Sequence, residues 1–91
     1  MGIQQIEYVD REHWNTVCVA EFVPVTKLED VQPGDKIVVP KTEKYCGWLR
    51  NHNGTLYPVL FTVEYLFDIR CKIKNMGSFA YDVCFKMHNP N

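Results

Sequence analysis

The sequence predicts a small all-β fold, an antiparallel barrel or open sandwich of five to six strands with a long C-terminal hairpin. Three observations carry this. From Val59 to Ile73 every odd position is apolar or aromatic: Val59, Phe61, Val63, Tyr65, Phe67, Ile69, Cys71 and Ile73. The even positions are mostly polar, among them Thr62, Glu64, Asp68, Arg70 and Lys72, and the alternation resumes after Asn75-Met76-Gly77 with Phe79, Tyr81, Val83, Phe85 and Met87. Successive strand side chains point to opposite faces, so both stretches read as strands with one face in a core. The second observation is Asn53-Gly54, the strongest two-residue hairpin signal, because the favoured turn needs positive φ at both central residues. The third is length. A strand from Leu56 to Lys74 would run about 60 Å at ~3.3 Å per residue, whereas a chain of ~100 residues packs to a radius of gyration of ~13 Å. That strand must bend, serve two sheets or project as an arm, and Pro58, which lacks an N–H, predicts a break or an edge.

Taken in order, residues 4–9 and 15–23 read as two strands. Asp10-Arg11-Glu12-His13-Trp14 forms the turn between them, capped by Asp10. Thr26-Lys27-Leu28-Glu29 fits a capping box opening a short helical turn to Val31. Gln32-Pro33-Gly34-Asp35 is a turn, and Lys36-Ile37-Val38-Val39-Pro40 a short strand that Pro40 ends. A turn centred on Asn53-Gly54 pairs Trp48 with Val59 and Cys46 with Phe61. Asn75-Met76-Gly77 as a three-residue loop pairs Ile73 with Phe79, Cys71 with Tyr81, Ile69 with Val83 and Phe67 with Phe85. Its polar face then sets Arg70 against Asp82.

With 91 residues, 46% hydrophobic, the chain supports one domain over residues 1–91 and argues against disorder. No apolar run approaches the ~20 residues of a membrane helix. Met1-Gly2-Ile3-Gln4-Gln5-Ile6 has neither the basic nor the apolar region of a secretory signal, so the expected location is the cytoplasm of the producing or host cell. Net charge is −1 but uneven: residues 1–35 carry seven acids and two bases, residues 36–91 eight bases and four acids. The four cysteines, Cys18, Cys46, Cys71 and Cys84, have no C-x-x-C spacing. In the derived register Cys71 faces the core and Cys84 faces away, so free thiols are expected, with no metal and no cofactor.

No phosphate loop, nucleophile elbow or metal box is present, so the chain is expected to be non-enzymatic. Cys46 and His52 lie too far apart along their strand to act as a catalytic pair. Two surfaces suggest binding. The reverse face of the Asn53-Gly54 hairpin is apolar, with Tyr45, Leu49, Leu56, Leu60 and Leu66, and predicts a protein-binding patch unless the N-terminal strands cover it. Segment 41–52 interleaves Lys41, Lys44, Arg50 and His52 with Tyr45 and Trp48, a composition that suits single-stranded nucleic acid. The slightly negative total charge and an inward Trp48 weigh against it. The reading that follows is a small protein–protein interaction module, an adaptor or inhibitor of the kind that phages and mobile elements encode. The alternatives are a barrel that binds single-stranded nucleic acid and a structural homo-oligomer.

Overall fold

The computed structural model describes residues 2–40, 49–73 and 77–88. Among the described residues there are eight strands: β1 (Gln4–Asp10), β2 (Val17–Pro24), β3 (Lys36–Val38), β4 (Leu49–His52), β5 (Thr55–Phe67), β6 (Arg70–Ile73), β7 (Ser78–Ala80) and β8 (Phe85–Met87). Five of them, β1, β2, β8, β3 and β5, follow one another in a sheet, and β1 returns to pair with β5 and closes it into a barrel. The closing pair is parallel, Val9 opposite Val59 and Asp10 opposite Leu60, so the barrel is mixed rather than purely antiparallel. Closure leaves no free edge between the first and last barrel strands. The β4 strand extends one end of β5, and β6 with β7 extends the other.

Local chemistry accounts for the connections. Asp10 Oδ1 accepts the Glu12 backbone N–H at 3.0 Å, and the Asp10 carbonyl accepts from His13 N–H, so the β1–β2 turn is capped as expected. The turn before β3 is also as expected, with Gly34 at φ 95° and Asp35 Oδ2 accepting the Gln32 N–H at 2.9 Å. The capping box is absent. Leu28–Asp30 is a 3-10 turn whose N-cap is Lys27, without a side-chain cap, while Thr26 Oγ1 donates to Asp30 Oδ2 instead.

Two apolar clusters form on opposite sides of β3 and β5. Phe22, Val38 and Leu60, with Ile6, Tyr8, Ala20, Phe85 and Met87 against them, draw on all five barrel strands and fill its interior. On the other face Ile37, Val39, Val59, Phe61 and Val63 are covered by Val25 and Val31 before β3, and by Cys71, Ile73, Phe79 and Cys84 from beyond β5. The odd-numbered face of β5 is therefore the outer wall of the barrel, buried under a second layer. Its even-numbered Leu60 is the interior. Burial of both faces of one strand fits the run Val59-Leu60-Phe61, apolar on both parities near the centre of β5.

Among the described residues, the predicted long C-terminal hairpin is shortened to the pair β6 and β7. The stretch folds back at Asp68-Ile69, and Pro58 sits inside β5 opposite Leu49 without breaking it. The partner of β6 is first β5, with Val63 opposite Ile73, and then β7, with Cys71 opposite Phe79 and Arg70 opposite Ala80. Cys71 thus faces Phe79 rather than Tyr81, a slip of two residues from the derived register, which preserves every face. Residues 81–83 form a 3-10 turn, not a strand, and Phe85 pairs with Pro24 and Val38 instead of Phe67. Cys84 consequently returns to the core that holds Cys71, correcting the expectation that the two face apart. Arg70 lies opposite Ala80 rather than Asp82, donating from Nε to Ser78 Oγ at 2.7 Å and from Nη2 to the Ser78 carbonyl at 2.8 Å.

Candidate interaction surface

The end of the β5–β6 hairpin carries the residues that the pattern assigned to a core and the structure places in water. The cause is one extra residue. Val63 stands opposite Ile73, but the next pairs are Tyr65 with Lys72, Leu66 with Cys71 and Phe67 with Arg70, so β5 has a bulge around Glu64. A bulge inserts a residue on one strand only and exchanges the faces beyond it. Before the bulge the odd-numbered Phe61 and Val63 are buried. After it Leu66 turns inward against the larger cluster, while Tyr65 and Phe67 turn out. The chain then reverses at Asp68, which adopts φ 55°, a left-handed conformation that Asp tolerates better than most residues.

Tyr65 is 46% exposed, Phe67 43% and Ile69, in the turn, 58%. The two rings pack on each other with centroids 5.9 Å apart at 42°. Glu64 and Asp68 are exposed alongside them. Nearby, Arg70 donates to Ser78 as above, and Lys72 Nζ donates to the Ile73 carbonyl at 2.8 Å. The result is an apolar tip of two aromatics and an isoleucine flanked by carboxylates.

Among the described residues, the patch expected from sequence does not form one exposed surface. Leu60 is only 8% exposed and lies inside the barrel under Phe22, Ile6 and Tyr8, so the N-terminal strands do cover it. Leu66 packs on the larger cluster and Leu49 is half-buried. Leu56 remains exposed, at 52%, and Tyr45 lies outside the described residues. Of the basic set, Lys41 and Lys44 are also outside the described residues, as are Cys46 and Trp48 of the predicted pairs. The Arg50 guanidinium sits 4.7 Å above the Trp14 ring, and His52 Nε2 is 3.2 Å from the Asn15 carbonyl, with its ring edge-on to Tyr57. These contacts dock the β4–β5 hairpin on the turn after β1.

A cleft of about 520 Å³ opens beside that turn, between Asp10, Arg11, Glu12 and Trp14 on one side and Lys36, Leu60, Phe61, Thr62 and Ile73 on the other. Its charges are of both signs, and Lys36 Nζ donates to Thr62 Oγ1 at 2.8 Å. Among the described residues, no three His, Cys, Asp or Glu side chains are grouped to hold a metal ion. No helix among them is long and apolar enough to cross a membrane. In comparisons with known proteins, no protein-family model, no curated protein and no solved structure matches the chain.

Sequence reasoning missed the tip because Tyr65, Phe67 and Ile69 continue the odd-position pattern without interruption. The signal that pointed to it was the strand-length limit, which required the chain to turn somewhere before Lys74.

Proposed function

We propose that the chain is a non-enzymatic protein-binding module, an adaptor or inhibitor, that docks through Tyr65, Phe67 and Ile69 at the end of the β5–β6 hairpin. The observation that carries this reading is the bulge at Glu64, which holds two packed aromatics outside a core that the same residues would otherwise fill. Contiguous exposed apolar surface is uncommon on small proteins unless something binds it, and rigid aromatic side chains supply interface contact at low entropic cost. The flanking Glu64 and Asp68 favour a partner surface with basic side chains around an apolar pocket, because opposite potentials steer encounter and exclude competitors.

The test compares the wild-type chain with Phe67→Asp, as immobilised bait, for quantitative capture from lysate with and without nuclease treatment. Loss of a specific captured protein, at about 2 kcal/mol or roughly thirtyfold in affinity, with an unchanged thermal midpoint, is the expected result. Equal capture by both chains overturns the reading. Capture abolished by nuclease, or weakening steeply with salt, would instead favour the nucleic-acid alternative. Light scattering that shows a dimer dissociated by Phe67→Asp would favour self-association.

A further inference from the structure

We propose that Cys71 and Cys84 form a dithiol–disulfide couple whose oxidised state ties the β6–β7 extension covalently to the barrel at the start of β8. Both side chains are buried, at 0% and 1% exposure, in the same apolar cluster. Cys71 sits in the middle of the extension, opposite Leu66 on β5 and Phe79 on β7. Beyond β7 the 3-10 turn over 81–83 folds the chain back, so that Cys84 Sγ comes within 3.4 Å of the Ala80 carbonyl oxygen, one residue from the partner of Cys71. A hydrogen bond between the two thiols is the leading influence on the ionisation of each. Two buried thiols in one packed cluster, one on β6 and the other at the end of the turn that folds back from β7, have the placement that a disulfide needs.

The same hydrogen bond differentiates them. Donation from Cys84 lowers the Cys71 thiol below its ordinary value, while that bond and burial push the Cys84 thiol far above it. Cys71 is therefore the first nucleophile and Cys84 the reserve of the proton. With a low-molecular-weight disulfide as oxidant, the Cys71 thiolate attacks one reagent sulfur. A Cys71–reagent bond forms, the reagent S–S bond breaks, and one reagent thiolate leaves and takes up a proton. Cys84 then gives up its proton and attacks the Cys71 sulfur. This forms the Cys71–Cys84 bond, breaks the mixed disulfide and releases the second reagent thiol. The protein loses two electrons and two protons, and the reagent gains both. Because the sulfurs are buried, exchange proceeds through local opening of β6 and β7, which have only short ladders to break.

The lock acts on β8, which pairs with both β2 and β3 and so belongs to the barrel wall. Because β6 is the return strand of the hairpin that bears Tyr65 and Phe67, oxidation fixes that hairpin to the barrel. The experiment equilibrates the full chain with oxidised glutathione, once folded and once during refolding from denaturant. It then maps cysteine-containing peptides and records thermal unfolding. The expected result is a Cys71–Cys84 cross-linked peptide, with Cys18 and Cys46 still open to alkylation. The unfolding midpoint should rise by roughly 10–20 °C and return on reduction. A bridge to Cys18 or Cys46, a glutathione adduct that never resolves, or four free thiols under both regimes overturns the proposal. So does a Cys71–Cys84 bridge that leaves the midpoint unchanged or lowers it. None of these outcomes depends on whether the aromatic tip binds a partner.

Discussion

The two hairpins built on β5 differ in how they turn and in what they do with their faces. At its start, β5 meets β4 through Asn53 at φ 54° and Gly54 at φ 85°, and the ladder from His52–Thr55 to Leu49–Pro58 runs without a shift. At its other end, β5 meets β6 through Asp68-Ile69, and the ladder is interrupted around Glu64. An uninterrupted ladder keeps each parity on one face for its whole length. A single bulge exchanges them, so the same odd positions that bury Phe61 and Val63 expose Tyr65 and Phe67. An exposed aromatic tip can therefore arise from a strand whose composition is that of a core.

The largest expected effect tests this inversion directly. Phe61→Ala should cost about 3–5 kcal/mol, because it empties a site in the packed outer core. Phe67→Ala, six residues along on the same parity, should cost less than about 1 kcal/mol. Chemical denaturation of the two variants measures both, and comparable losses would mean that the faces are not exchanged. Next in size are the turns. Gly54→Ala forces an L side chain into a left-handed conformation and should cost about 1–2 kcal/mol, although an added Cβ would meet nothing within 4 Å. Asp68→Gly gains conformational ease but loses unfolded-state restriction, and should change stability by less than about 0.5 kcal/mol. A large loss at Asp68→Gly would show that the carboxylate, not the backbone, holds that turn.

The smallest effect lies in the barrel interior that both hairpins flank. Tyr8 packs edge-on to Phe22 with ring centroids 5.6 Å apart, and burial, followed by the nearby Cys18 and Asp10, raises its hydroxyl pKa above the ordinary 10.0. The folded state then holds this proton to higher pH than the unfolded state. The contribution is fully present below about pH 10 and is lost as pH rises through the folded value. Thermal midpoints measured from pH 8.5 to 11 should fall more steeply for wild type than for Tyr8→Phe, as ~1 proton is involved. Identical slopes would place Tyr8 in water.

Parts of this fold were legible because their signals are local. Asn53-Gly54 specified both a turn and its register, and Asp10 and Gln32–Asp35 specified turns through side chains that bond their own backbone. The Asn75–Gly77 loop was less informative. A slip of two residues leaves every side chain on its face, so the pattern could not distinguish Cys71 opposite Tyr81 from Cys71 opposite Phe79. The burial of Leu60 was illegible for a different reason. Leu60 is apolar whether it faces a partner or the inside of a barrel, and only the return of β1 to β5 decides between them.

Alternation, turn residues and chain length by themselves determined that this protein is a small β structure, where most strands lie, and that its longest apolar segment cannot run straight. The tertiary structure alone decided that β1 closes the sheet in parallel and that β5 is buried on both faces. It also decided that a bulge at Glu64 sends two aromatics outward, and that Cys71 and Cys84 share one core cluster. The physical reason is that period-two patterning reports which residues share a face. Which face becomes core depends on contacts between segments far apart in sequence, and these are set by closure, bulges and register rather than by any local residue preference.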